Sequence, residues 1–172
     1  MGKIETTGKK NLRMKPKYIY FSLLIILICL SCKNREAYYN FYELKDSEWS
    51  KLDTLYFDID SAAIQLNTPY DICIELVNNS DYPYQNIWLY FQDNFERNSF
   101  VKVEKQYELA DPLGKWYGSG FGSLYELSLD YKKRISFSEK RNYQLKVVQG
   151  MRDEPLVGIE KIGVRLIPSE ID

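Results

Sequence analysis

From residue 55 onward, apolar side chains recur at every second position. Leu55, Phe57 and Ile59 alternate with Tyr56, Asp58 and Asp60, and Ile72, Ile74 and Leu76 alternate with Asp71, Cys73 and Glu75. Tyr143, Leu145 and Val147 are interleaved with Asn142, Gln144 and Lys146, and Ile162, Val164 and Leu166 with Lys161, Gly163 and Arg165. An extended chain sends successive side chains to opposite faces, so each run predicts a strand with one buried and one wet face. Residues 100–109 and 124–131 alternate less strictly but are rich in Val, Leu and Tyr, and are expected to be strands as well. Residues 86–92 differ, because Ile87, Leu89 and Phe91 on one side face Trp88 and Tyr90 on the other. That pattern predicts a central strand covered on both faces, in preference to one that displays its aromatics.

Turn-forming clusters separate these runs: Asn78-Asn79-Ser80-Asp81-Tyr82-Pro83, Asp93-Asn94, Asp111-Pro112-Leu113-Gly114 and Arg152-Asp153-Glu154-Pro155. No window of a dozen residues carries a helical period with caps. Seven or eight short strands between turns predict an all-β chain, a two-layer antiparallel β-sandwich of Ig-like or jelly-roll-like connectivity.

The first thirty residues obey a different rule. Lys3, Lys9, Lys10, Arg13, Lys15 and Lys17 precede an apolar run over residues 18–30, the order of a signal peptide. The run is about 13 residues, about 20 Å as a helix, whereas crossing ~30 Å of hydrocarbon takes about 20. Leu30-Ser31-Cys32 follows, with a small residue before the thiol, although Cys29 rather than Leu occupies the third place before Cys32. The expectation is a lipoprotein: residues 1–31 removed, Cys32 carrying acyl chains such as palmitate, residues 32–40 forming the lipidated end and tether, and 41–172 the sandwich. Two or three chains hold a protein to a bilayer far more firmly than one.

Removing the signal changes the charge. The full chain has 23 basic and 24 acidic residues; six basic and one acidic leave with residues 1–31, so 17 basic face 23 acidic. An acidic domain is a poor partner for nucleic acid. Cys29 departs with the signal and Cys32 is consumed by lipid, which leaves Cys73 alone, without an intrachain partner and best explained as a small buried hydrophobe.

Candidate chemistry is sparse. The chain has no histidine, which removes Ser-His and Cys-His nucleophile systems and the commonest zinc ligand. Asp58 with Asp60, or Glu126 with Asp130, are the available carboxylate pairs, but residues two apart on a strand share a solvent face, and ordinary surface charge explains them. No catalytic residue, metal ligand or cofactor is assigned. The series Gly114, Gly118, Gly120 and Gly122 lacks the Lys-Ser/Thr ending of a phosphate loop. It is expected to form a bent segment in which Trp116, Tyr117 and Phe121 fold back on the sheet. Loops on a rigid sandwich are where binding tends to sit, so Trp116, Tyr117 and Phe121, with Trp88, are the candidate binding surface for a protein or a sugar ring.

Several segments, in order, carry a family resemblance: Tyr70-Asp71-Ile72, the stretch Val77-Asn78-Asn79-Ser80-Asp81-Tyr82-Pro83-Tyr84, and Asn86-Ile87-Trp88-Leu89. After them come Leu109-Ala110-Asp111-Pro112-Leu113-Gly114-Lys115-Trp116-Tyr117-Gly118, Gly120-Phe121-Gly122, Gln149-Gly150-Met151-Arg152 and Leu156-Val157-Gly158-Ile159. With the signal, this set resembles the gliding-motility lipoprotein GldH family of the Bacteroidetes, departing from its pattern at Val77, where Arg is usual. The resemblance implies a non-enzymatic envelope lipoprotein of a gliding apparatus linked to protein secretion, with envelope proteins as partners and no catalytic residues to transfer. The mixed charge of Lys33-Asn34-Arg35-Glu36 favours an outer-membrane protein facing the periplasm. Asp53-Thr54-Leu55 and Asp60-Ser61-Ala62 resemble short O-glycosylation sites of that phylum. The alternative function is a glycan-binding lipoprotein using Trp116 and Tyr117 as platforms.

Overall fold

The two-residue period becomes ten strands in the computed structural model, which describes residues 36–170. In chain order they are β1 (Tyr38–Glu43), β2 (Glu48–Trp49), β3 (Leu55–Ile59), β4 (Pro69–Asn79), β5 (Asn86–Asp93), β6 (Val101–Glu108), β7 (Leu124–Ser136), β8 (Tyr143–Gln149), β9 (Leu156–Val157) and β10 (Ile159–Pro168). The signal peptide, Cys32 and the start of the tether lie outside the described residues. Pairing is antiparallel throughout, in one sheet of order β1-β10-β4-β7 and a second of order β3-β8-β5-β6, while β2 and β9 make a short separate pair. The eight long strands, divided between the sheets in this order, have jelly-roll connectivity, which settles the alternative left open between Ig-like and jelly-roll-like.

Inward positions carry the predicted apolar sets. Phe57 and Ile59, Ile72, Ile74 and Leu76, Ile87 and Leu89, Leu145 and Val147, and Ile162, Val164 and Leu166 are all fully buried in one cluster with Trp49. Burying each such side chain contributes about 1.5–3 kcal/mol, as an upper estimate. The aromatics Phe137, Tyr143, Phe95 and Tyr70 close one end of this core through tilted and edge contacts 4.5–6.4 Å between ring centres.

Two expectations need correction. Strand β1 begins at Tyr38 and pairs with β10 from Tyr38↔Leu166 onward, so sheet structure starts within the span assigned to the tether. Strand β5 is central in its sheet but not covered on both faces: Ile87, Leu89 and Phe91 are buried, while Trp88 is half-buried and Tyr90 is 45% exposed. Among the described residues no layer packs outside the second sheet, so the outward set on β5 is displayed.

A polar lock crosses the interior. Tyr131 continues the inward set of Leu127 and Leu129 on β7, and the register against β4 shifts just beyond it in a β-bulge. The Tyr131 hydroxyl donates to Asp93, a carboxylate only 1% exposed, which also accepts from Lys132 Nζ at 3.1 Å and from the Phe95 amide at 3.1 Å. Burial first, and then the Asp93 carboxylate, pushes the Tyr131 hydroxyl far above its ordinary range, so it remains a donor. The buried charge is thereby paired and hydrogen-bonded, the condition under which an interior charge is tolerated.

The registers also define two ends. The chain enters the domain at Tyr38, beside Leu166 and Ile72, at the same end as the β7–β8 connection. The β4–β5 turn, residues 109–123 between β6 and β7, and Gly158 gather at the opposite end, where the Leu109 and Ala110 amides both donate to Gln85 O and the Asn79 amide donates to Gly158 O.

Candidate functional site

The outer face of the β1-β10-β4-β7 sheet carries one candidate site. Outward residues on β1 are Tyr39, Phe41 and Glu43; opposite them on β10 stand Arg165, Gly163 and Lys161. Gly163 has no side chain in the middle of a strand, which opens a trough between Tyr39 and Phe41 on one wall and Val77, Leu124 and Phe121 on the other. Its volume is about 440 Å³ and its lining is mainly apolar. A Cβ at Gly163 would stand 3.2 Å from Phe41 Cβ and 3.3 Å from Glu75 Cβ, so any larger residue would fill the floor.

Charged groups frame the trough, and all but Glu126, whose side chain has no hydrogen bond or ion pair among the described residues, are paired with one another. Glu75 is buried and accepts from Arg165 Nε at 2.7 Å and from Ser128 Oγ at 2.9 Å, and Arg165 Nη2 donates to the same Ser128 hydroxyl at 3.2 Å. Lys161 Nζ donates to Glu43 at 2.7 Å and lies 5.0 Å above the Phe41 ring. The hydrogen bond from Lys161 to Glu43 holds its ammonium above the usual lysine range. Cys73 is the free thiol among the described residues; burial raises its pKa, so it is an inert packing residue rather than a nucleophile.

The glycine-rich segment supplies the other wall. Ser119 pairs with Glu126 through two backbone hydrogen bonds, which lays the segment along the edge of β7. At Gly120 a Cβ would stand only 1.8 Å from the Leu124 carbonyl oxygen, so only glycine fits where the chain reverses. The reversal projects Phe121, 95% exposed, from its tip. Leu113, in the Asp111–Lys115 turn closed by the Asp111 carboxylate, is 94% exposed, and Tyr117 is 56% exposed. Only Trp116 folds back as expected: it is half-buried between Tyr82 and Tyr125, at ring-centre distances of 6.3 and 5.6 Å. For Tyr117 and Phe121 the expectation fails: Tyr117 alternates with the inward Trp116, and Phe121 stands at the tip of the reversal that Gly120 permits.

The predicted binding residues therefore do not form one surface. Phe121 joins the trough, Trp116 supports the loop from beneath, and Tyr117 stands in solvent. Trp88 lies on the outer face of the other sheet, in a separate pocket with Tyr90. Val77 stood out in the sequence only as the place where the family pattern has Arg; Tyr39, Phe41 and Leu124 were not singled out, and the one available signal for them was a glycine within the strand pattern at Gly163. The carboxylate pairs are not paired acids in a cleft. Asp58 accepts from Gln144 Nε2, Asp60 caps the Ala62 amide, and Asp130 is bridged to Lys133 at 2.8 Å. Among the described residues, no helix is long and apolar enough to cross a membrane, and no three acidic or cysteine side chains cluster to hold a metal ion.

Taken together, the two four-stranded antiparallel sheets and the apolar trough on one outer face define a jelly-roll β-sandwich domain. Residues 36–166 match the family model described as GldH lipoprotein, and the chain belongs to that family. A relative from Christiangramia forsetii, a gliding motility lipoprotein GldH homolog, is 29% identical over 91% of this chain and 99% of its own length. The gliding motility lipoprotein GldH of Flavobacterium johnsoniae is 28% identical over 84% of this chain and 92% of its own. Membership in a lipoprotein family makes the chain a lipid-anchored envelope protein associated with gliding motility.

Proposed function

We propose that the chain is a non-enzymatic component of a gliding apparatus coupled to protein secretion. It is anchored through Cys32 in the outer membrane with its domain in the periplasm, and it docks a protein partner through the trough and the loop beside it. The observation that carries this reading is the grouping of Phe41, Leu124 and Phe121 around Gly163, with Leu113 and Tyr117 exposed on the same connection, at the end of the sandwich opposite the one the chain enters. Exposed apolar groups rimmed by polar ones mark protein contact sites, and a central aromatic anchor usually dominates such contacts. A lipid-tethered end and an opposite end carrying apolar anchors suit a protein that bridges a membrane and a partner. The absence of histidine and the separate engagement of Asp58, Asp60 and Asp130 support the non-enzymatic reading.

Co-purification from native membranes tests it. Wild-type protein should recover a specific envelope partner and Phe121→Ser should lose most of it, while deletion of the gene should impair colony spreading and secretion. Equal recovery by wild type and Phe121→Ser would overturn the assigned surface. Mass spectrometry of the purified protein should find a product starting at acylated Cys32; a full-length chain with a free thiol there would overturn the anchor.

A further inference from the structure

The outer face of the β3-β8-β5-β6 sheet holds a second pocket, of about 430 Å³, a volume in the range of small-ligand sites. Asn86, Trp88 and Tyr90 point outward in a row along β5, roughly 7 Å apart as every second residue of a strand must be. Tyr90 stands opposite Glu104 in the β5–β6 register, and Arg152 enters from the β8–β9 connection. Gly150 lets the Tyr90 ring lie against its backbone: a Cβ there would meet ring atoms at 2.9 and 3.1 Å and Trp88 Cβ at 3.2 Å. The Gly150 amide donates to Trp88 O at 2.7 Å, which fixes β8 beside both rings.

The polar groups around these rings differ from those of the first sheet. The Asn86 amide, the Glu104 carboxylate and the Arg152 guanidinium all line the pocket, and among the described residues none of the three side chains makes a hydrogen bond or an ion pair. A ligand there is offered aromatic surface together with acceptors from Glu104, donors from Arg152, and both from Asn86. A purely apolar ligand would leave these groups unsatisfied, an anion would meet Glu104, and a cation would meet Arg152. A neutral pyranose matches all three demands. Its C–H face stacks on an aromatic ring, and its equatorial hydroxyls both donate and accept.

From this juxtaposition we infer that the pocket is a saccharide-binding site for one or two neutral pyranose rings, with Tyr90 and Trp88 as the stacking surface and Glu104, Arg152 and Asn86 as hydroxyl partners. It lies on the opposite sheet from the trough, so a sugar and a protein partner can be held together.

Saturation-transfer NMR on the mature chain in micelles tests the site, with chitobiose, cellobiose and mannobiose as separate probes. The detergent is zwitterionic, because a maltoside would itself occupy a sugar site. At least one disaccharide is expected to receive saturation at its ring C–H protons. Tyr90→Ala should abolish the signal, Arg152→Ala should weaken binding about 10-fold, the loss of one charge-assisted hydrogen bond, and Phe121→Ala should leave it unchanged. Tyr90 and Arg152 are exposed, so both variants are expected to fold, checked by circular dichroism. Failure of all three sugars to receive saturation from folded wild type would overturn the inference. So would undiminished transfer in the two variants, or equal loss in Phe121→Ala.

Discussion

The two outer faces of the sandwich use the same strand alternation to different ends. On the β1-β10-β4-β7 face, charges are spent on one another: Glu75 on Arg165 and Ser128, Lys161 on Glu43, Asp71 on Ser169 and the Arg134 amide. What remains displayed there, around Gly163, is mainly apolar, with Glu126 at its rim. On the β3-β8-β5-β6 face, the pocket beside Trp88 and Tyr90 keeps Glu104 and Arg152 without an ion-pair partner among the described residues. Paired charges on a sheet surface serve the fold, whereas convergent unpaired ones beside aromatic rings are available to a ligand.

The largest expected effect comes from breaking the first face's central pair. Glu75→Ala removes a buried carboxylate and leaves the half-buried Arg165 with only Ser128 at 3.2 Å and the longer contact to Glu36 at 3.8 Å. Loss of one member of a buried pair costs about 3–5 kcal/mol, and the partial exposure of Arg165 reduces this to roughly 1–3 kcal/mol. Urea unfolding should show a lower midpoint with unchanged slope. A midpoint equal to wild type would mean that the pair is ornamental and that the two faces do not differ.

Next in size is Gly163→Val. A strand gains from a β-branched residue, while the new side chain meets Phe41 and Glu75 at about 3.2–3.3 Å, so the two effects oppose and stability should move by about 1 kcal/mol or less. The same substitution fills the trough floor and should reduce partner recovery from membranes severalfold. Sugar-probe signals on the other face should not change. A variant that unfolds, or that still recovers the partner in full, would sever the link between the open floor and docking.

The sequence made the strands of the core visible, and the reason is particular to them. Leu55 to Ile59, Ile72 to Leu76 and Ile162 to Leu166 each have one solvated face, so polar residues mark the period. Strand β1 escaped notice because Tyr-Tyr-Asn-Phe-Tyr-Glu has aromatics on both its inward and outward sets: Tyr42 packs edge-on against Phe57, while Tyr39 and Phe41 form the trough wall. Strands β2 and β9 have two residues each, too short for any period. The loop was recognised as a binding candidate from its glycines, but which aromatics it displays depends on how closely Gly118 and Gly120 approach β7, a distance no sequence pattern carries. Likewise Arg152 and Glu104 line one pocket beside Tyr90 only because β5 pairs with both β6 and β8.

Acid should weaken the first face through Asp71. Burial pulls the Asp71 carboxyl upward, but hydrogen bonds from Ser169 Oγ at 2.6 Å and the Arg134 amide at 2.9 Å outweigh it and hold the group below its ordinary value. A depressed folded-state pKa contributes stability that is present above the unfolded value, near 4, and is lost as pH falls through the folded one. Unfolding midpoints should therefore decline below about pH 4. Asp71→Asn, which keeps an acceptor but cannot titrate, should flatten that decline while lowering the midpoint at neutral pH. If Asp71→Asn declines as steeply as wild type, the acid sensitivity resides elsewhere.

The smallest effect is the most discriminating. Glu104→Gln and Arg152→Gln alter the only two charges that line the Trp88–Tyr90 pocket, and neither side chain hydrogen-bonds another described residue. Surface changes without partners usually move stability by less than about 0.5 kcal/mol, so both variants should unfold with wild-type midpoints. That near-zero result is the counterpart of the loss expected for Glu75→Ala: the same types of side chain, on the same kind of sheet face, differ in cost because one pair is engaged and the other is not. A destabilisation of Arg152→Gln comparable to that of Glu75→Ala would show that Arg152 is already committed to the fold, and a side chain held by the fold is not free to meet a sugar hydroxyl.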